Sequence, residues 1–308
     1  MNTAYATLEE YQQRYDYVKR AGQEKEKDVS VMMDLKGTQL RVHANGIYAV
    51  ELGQRINVGF NSGPVSFSHD FGSAVQRGDE IYFENGTIKT KVIKVTPTHL
   101  SLEVYDAGEG EIRNMMGVNV PEKYIPLENL TKKDELVVDF GVENRVEYFA
   151  LSFVRSFSDV QKLMGVIEES KQKKGVTDYS PGIIVKIEDY FGVANLSSIL
   201  INSQKEGIDV SVMLARGDLF VEVPPEKFMG YQNKIMSTCK AYGVSVIVAT
   251  GLLESMQYSA RPTRSEVIDT SYAVISGADG LMLSGETSNG IDPVNAVKML
   301  KQIVDENI

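Results

Sequence analysis

The sequence predicts an α/β fold: an incomplete (β/α) barrel of about six βα units, carrying an inserted small all-β barrel domain. Three observations predict it. Runs at 29–33, 147–154, 182–188, 209–215, 244–250 and 280–284 are apolar nearly throughout, as strands covered on both faces are. From 147 onward they recur at intervals of about 27–36 residues with helical patterns between them, which points to a parallel sheet. Polar residues cluster at the C-terminal end of nearly every run: Asp34 and Lys36, Ser152 and Arg155, Lys186 and Glu188, Arg216 and Asp218, Thr250, Ser284 and Glu286. The alternation alone fits an open doubly wound sheet or a closed barrel. In an open sheet only strands at the switch point need functional residues. In a barrel all the ends surround one site. The polar ends favour the barrel.

The elements follow in order. Residues 4–22 read as a helix, with Leu8, Tyr11, Tyr15 and Val18 on one face. A charged link, 22–28, leads to the first apolar run, which ends in Asp34-Leu35-Lys36-Gly37. From about 38 to 122 helical periodicity disappears. Short alternating stretches separated by Gly, Asn and Pro predict antiparallel strands, with turns at Gly78-Asp79 and Asn85-Gly86. The insert is therefore placed at 38–123, and the barrel at 1–37 and 124–308. A helix over 159–174 carries Val160, Leu163, Val166 and Ile167 on one face. Thr263-Arg264-Ser265-Glu266 is a capping box opening a helix that Gly277 ends. Asp292-Pro293 opens the last helix as N-cap and N1.

Composition narrows the chemistry. The chain has 308 residues and a formal net charge of −10, a poor balance for general binding of nucleic acid or anionic membranes. A lone cysteine, Cys239, excludes a disulfide scaffold or thiolate metal cluster and fits a reducing compartment. The three histidines, His43, His69 and His99, lie in the first third. Chemistry in the rest must use Lys, Arg, carboxylates, hydroxyls or metal. No run approaches ~18 apolar residues, so no membrane span is expected. The opening residues lack the apolar core of a signal peptide, so a cytoplasmic protein is expected.

Lys186 and Glu188 are two apart on one strand and face the same way. Two readings fit them: an ion pair closing the strand end, or an anion-binding lysine beside a metal-binding carboxylate. In Ala215-Arg216-Gly217-Asp218, Gly217 permits a tight turn whose N–H groups can cradle a carboxylate or phosphate. The same run also reads as a helix start. Asp218 with Glu188 can give two oxygens to Mg²⁺, leaving positions for water and substrate. Thr250 and Ser284 are hydroxyls at two further strand ends, each alone more consistent with a cap. Together the set implies an anionic, oxygen-rich substrate held by a divalent metal and a lysine, with enolate or phosphoryl chemistry.

The same residues carry a resemblance. VKIED, MLARGDLFVEVP, VIVATGLLESM, RPTRSEVID and GADGLMLSGET resemble, in order and spacing, the signature segments of pyruvate kinases. DLKGTQLR resembles that family's DTKGPEIR, and FGVENRVEYFALSFVR also fits. The resemblance covers nearly the whole chain and is strongest over about 139–300. It implies an incomplete (β/α)8 TIM-type barrel and phosphoryl transfer from phosphoenolpyruvate to ADP in glycolysis. Lys186 would stabilise the enolate oxygen near the transferring group. Glu188 and Asp218 would bind Mg²⁺ (or Mn²⁺). The backbone of Gly217 and Asp218, with Thr250, would hold the substrate carboxylate. Thr250 and Ser284 would organise the water that protonates the enolate carbon. Arg41 would face nucleotide or phosphate, the insert would form a lid, and Asp34 would contribute to a K⁺ site.

Departures from the family pattern accompany the match. On the resemblance, two further barrel strands would precede Met1 and a C-terminal domain would follow Ile308. Leu35 stands for a Thr, Gln39 for a Glu tied to K⁺ dependence, and FENG for DDG, so Asn85 replaces an acidic residue. Met116 replaces a lid lysine, Phe220 a glycine and Gly251 a glutamine. The enolate end of the site is thus complete and the nucleotide end eroded. Two other readings stand beside catalysis of the full reaction: a fragment or non-catalytic partner subunit, in a homo- or hetero-oligomer that covers the missing strands, and residual Mg²⁺-dependent pyruvate enolisation or decarboxylation.

Overall fold

Six parallel strands form the scaffold of the first of two units in a computed structural model, which describes Met1, Thr3 and residues 6–308. This unit comprises Met1–Gly37, Asn129–Leu219 and Glu226–Ile308. The strands Met32–Leu35, Tyr148–Leu151, Gly182–Ile187, Val210–Ala215, Val246–Ala249 and Gly280–Met282 lie side by side in chain order, every pair parallel. Helices connect them, as parallel crossovers require. The side-chain period of two divides the strand residues between two faces. Phe149, Leu151, Ile183, Val185, Ile187, Val212 and Leu214 are buried. Their alternates Ala150, Ile184, Met213, Ala215 and Ala249 form a separate small apolar cluster. Lys186 shares the parity of Ile184, so the charged residue continues the row that this small cluster begins.

Helix starts are set by side-chain caps. Thr7 and Glu10 cap Leu8–Glu24 reciprocally, Thr131 and Asp134 cap Lys132–Glu143, and Thr263 and Glu266 cap Arg264–Ile275. Such caps are worth about 1 kcal/mol each. The first helix therefore begins at Leu8, not residue 4; residues 4 and 5 lie outside the described residues. The capping box read at Thr263 and the Asp292-Pro293 start of Pro293–Asn307 are both present. The helix expected over 159–174 begins earlier, at Phe157, with Ser156 as N-cap. The first strand runs Met32–Leu35 rather than 29–33, because the Val31 N–H is spent on the Glu147 carboxylate at 2.6 Å.

The second unit comprises Thr38–Glu128 and Phe220–Pro225. Seven short strands form one sheet around Phe60, Phe67, Phe71 and Phe83. An isolated antiparallel bridge, Arg41 to Gly117, links the two outermost strands and nearly closes the sheet on itself. Asn85 (φ 54°) and Gly86 (φ 83°) make the turn between Glu80–Phe83 and Ile88–Val95. The strands are not all antiparallel: Arg55–Phe60 and Val65–Phe67 pair in parallel. The tight return between them needs left-handed backbone at Asn61 (φ 57°) and Gly63 (φ 110°). It also needs the absence of a side chain at Gly59, where a Cβ would stand 1.9 Å from the Ser62 carbonyl oxygen.

Candidate active site

Residues from five strand ends of the first unit meet at one cavity of about 730 Å³, lined among others by Asp34, Lys186, Glu188, Asp218, Thr250 and Ser284. Gly217 lines it as well. The volume suits a ligand of metabolite size. Arg41 belongs to the second unit, where its guanidinium donates to the Met115 carbonyl at 3.1 Å and to the Gln39 side chain.

Lys186 is the centre of the charged cluster. Its Nζ lies 3.0 Å from Asp34 Oδ1, 2.8 Å from Ser152 Oγ and 3.1 Å from Glu188 Oε1. The Ser152 hydroxyl donates in turn to the Leu35 carbonyl at 2.7 Å, so its oxygen faces the ammonium as an acceptor. The Lys186–Glu188 pair is thus an ion pair, and it opens onto a cavity. Burial works against the charged lysine, but Glu188 and Asp34 outweigh it and hold the ammonium above its ordinary value.

Glu188 is 3 % exposed and accepts the Phe153 N–H at 2.7 Å. Phe153 takes a left-handed conformation (φ 50°) at that point. Burial raises the Glu188 carboxyl; Lys186 opposes the rise and Asp218 adds to it. Two carboxylates, Asp34 and Glu188, therefore share one lysine, and Asp218 adds a further negative charge beside Glu188. A divalent cation between Glu188 and Asp218 would relieve that excess, and Mg²⁺ commonly takes one or two carboxylates plus water and substrate oxygens. Among the described residues no group of three or more His, Cys, Asp or Glu is arranged to hold a metal by itself. The donor set fits an ion shared with a ligand rather than a closed protein cage.

The opposite rim is built from a helix start and a left-handed loop. The helix Arg216–Glu222 starts directly from the strand Val210–Ala215, so the run is a helix start, with Asp218 inside the first turn rather than as its cap. Thr250 has φ 69°, a left-handed conformation that costs a β-branched residue about 1–3 kcal/mol. Its Oγ1 accepts the Gly217 N–H at 2.9 Å. A hydroxyl that accepts there keeps its proton for the cavity side, where it can donate to an anion. Ser284 stands at the N-cap position of the short helix Gly285–Ser288 without a side-chain capping bond, and its N–H donates to Glu286 Oε2 at 2.8 Å. Glu286 is buried and also accepts the Leu253 N–H at 3.2 Å. It ties two loops together, so its place among the polar strand ends is structural.

Other polar strand ends have similar fates. Arg155 pairs with Asp189, the N-cap of Tyr190–Lys205. The Lys36 N–H donates to the Asp134 carboxylate at 2.9 Å. Asp34 spends one oxygen on Lys186. Sequence reasoning placed Ser152 only among the polar ends and did not assign it to the site. The Phe153 N–H and the Arg216 guanidinium were not assigned either. Ser152 had a legible signal, a hydroxyl at a buried strand end; the left-handed Phe153 had none.

Fold and site together define an α/β protein with a lysine–carboxylate centre at the C-terminal ends of a parallel sheet. The family model for the pyruvate kinase barrel domain matches residues 1–297. Pyruvate kinases from two Staphylococcus aureus strains, USA300 and NCTC 8325, are each 33% identical over 311 residues, covering 98% of this chain and 51% of the relative. A crystal structure of a pyruvate kinase from Cryptosporidium parvum superposes with a TM-score of 0.92 at 31% identity, covering 99% of this chain and 63% of that one. The chain belongs to the pyruvate kinase family. It spans about half the length of the curated relatives it matches. Among the described residues, no helix is long and apolar enough to cross a membrane.

Proposed function

We propose that the chain carries the phosphoryl-transfer site of its family, acting in glycolysis in the cytoplasm. Phosphoenolpyruvate loses its phosphoryl group to a β-phosphate oxygen of ADP. The P–O bond to the enol oxygen breaks, its electron pair stays on that oxygen, and a new P–O bond makes ATP. The enolate carbon then takes a proton from water, giving pyruvate.

One observation carries the reading: the Lys186 ammonium is fixed by Asp34, Ser152 and Glu188 at a cavity that Gly217, Asp218 and Thr250 also line. On this reading the ammonium stands against the developing enolate charge, a contact stronger in the transition state than before it. The Gly217–Asp218 turn and the Thr250 hydroxyl hold the substrate carboxylate. Ser284, with Thr250, orders the water that supplies the proton. Mg²⁺ or Mn²⁺, held by Glu188 and Asp218, would neutralise charge on substrate oxygens. Asp34 keeps the K⁺ role the resemblance implies, now shared with Lys186. Arg41 would serve the nucleotide, and residues 38–123 would be the family's lid. The sequential parallel order supports reading the sheet as six strands of an eight-stranded barrel.

The test is pyruvate formation from phosphoenolpyruvate, ADP, Mg²⁺ and K⁺, followed through a coupled dehydrogenase. Turnover lost in Lys186→Met is expected. Absence of turnover by the unaltered chain, or its survival in Lys186→Met, would overturn the reading.

A further inference from the structure

Thr250 holds a backbone conformation that β-branched residues avoid (φ 69°), and such strain persists only where the surroundings over-determine it. A single guanidinium does so. Arg216 Nε and Nη2 both donate to the Thr250 carbonyl, at 3.1 and 2.7 Å. Its Nη1 donates to Asp269 Oδ2 at 2.7 Å. Arg216 is 7 % exposed, so these bonds are poorly replaced by water.

The next residue completes a ring. While the Arg216 side chain grips the Thr250 carbonyl, the Gly217 N–H grips the Thr250 hydroxyl at 2.9 Å. The loop beyond Thr250 is anchored by the helix that supplies Asp269. Glu266 accepts the Ser255 N–H at 2.6 Å, and Thr270 Oγ1 donates to the Leu252 carbonyl at 3.0 Å. One helix, Arg264–Ile275, thus holds residues 250–255 directly at two points and through Arg216 at a third.

We infer that Arg216 is a positioning residue for the anion-binding rim of the site. Without touching substrate, it fixes the Thr250 peptide so that the hydroxyl accepts from Gly217 and donates into the cavity. The planar fork matters: an ammonium in its place cannot supply two bonds to one carbonyl and a third to Asp269 in this geometry. The inference rests on the proposed reading of Gly217, Asp218 and Thr250 as the rim that holds a substrate carboxylate.

The experiment uses oxalate, a planar dianion resembling the enolate of pyruvate, titrated calorimetrically onto the chain with Mn²⁺. In Arg216→Ala and Arg216→Lys, oxalate affinity falls about tenfold or more, as loss of oriented hydrogen bonding predicts. Mn²⁺ affinity without oxalate stays unchanged, because Glu188 and Asp218 are intact. Millimolar guanidinium restores oxalate binding to Arg216→Ala and not to Arg216→Lys, whose side chain fills the space. Independently of ligand, exchange of the Gly217 amide hydrogen accelerates about tenfold in Arg216→Ala as its acceptor moves. Unchanged Gly217 exchange overturns the inference whatever the binding result. Parallel loss of Mn²⁺ and oxalate affinity without guanidinium rescue overturns it too, since it would mark a general structural role. Failure of the unaltered chain to bind oxalate, with Gly217 exchange still dependent on Arg216, would sink the functional reading and leave the positioning intact.

Discussion

Replacing Lys186 by methionine removes one cation from among three acceptors at 2.8, 3.0 and 3.1 Å. The lysine side chain is 12 % exposed and Glu188 3 %, so solvent screens that pair little; the Asp34 side chain, 31 % exposed, counts for less. Breaking a buried pair by removing one partner costs about 3–5 kcal/mol, because the other charge is stranded. Methionine recovers some apolar burial, and Glu188 can take up a proton, so about 3 kcal/mol is expected at mildly alkaline pH. For a unit of this size that lowers the Tm by roughly 6–12 °C. The deficit should depend on pH. In the variant Glu188 keeps burial and Asp218, which raise it, and loses Lys186, which lowers it. Its folded-state pKa moves further above the ordinary 4.5. A carboxyl raised on folding contributes stability below its unfolded pKa and loses it as pH climbs through the folded value. Folded Glu188 is already raised to about 7 in the parent, so the deficit grows only from about pH 7 upward, toward the variant's higher value. Thermal and urea unfolding of both proteins across that window, without divalent metal, measure it. A variant as stable as the parent at the alkaline end, or a deficit that shrinks as pH rises, would refute the account of this cluster.

Other consequences follow from the same geometry. Mn²⁺ at about a hundred times its Kd should stabilise the chain by about 2.7 kcal/mol; Glu188→Gln should remove most of that gain, and an equal shift in the variant would show that the ion binds elsewhere. Ser152→Ala takes an acceptor from Lys186 and a donor from the Leu35 carbonyl. It should cost about 1–2 kcal/mol by chemical denaturation and lower kcat more than it alters KM. Gly59→Ala places a Cβ against the Ser62 carbonyl, which must move. Loss of more than about 2 kcal/mol from the unit holding residues 38–128 is expected, read by protease susceptibility, and an unaffected cleavage pattern would contradict the tight return.

Much of this organisation is local and therefore legible in the chain. The Thr263–Glu266 box and the Asp292-Pro293 start act within four residues, and the structure contains both as read. Apolar runs separated by helical patterns indicated parallel strands because a sheet covered on both faces must be apolar on both. The parity of Lys186 and Glu188 places them on one face, and their ion pair is consistent with that. The resemblance to pyruvate kinases rested on segments whose order and spacing are properties of sequence alone. Boundaries were less legible: the start of the first helix was set by Thr7, and the first strand was shortened by a bond from Val31 to Glu147, 116 residues away.

What tertiary structure decided are the partnerships made across large separations. Asp34 meets Lys186 over 152 residues, Phe153 aims its N–H at Glu188, and Arg216 closes on Thr250 and Asp269. None of these has a periodic or motif signature, because each depends on which strand ends the sheet brings side by side. The left-handed backbone of Phe153 and Thr250 is likewise imposed from outside, against the preference of both residues. Local propensity and spacing act over a few bonds and can be read in one dimension. Charge pairing and backbone strain depend on distance in three, and only the folded chain sets them.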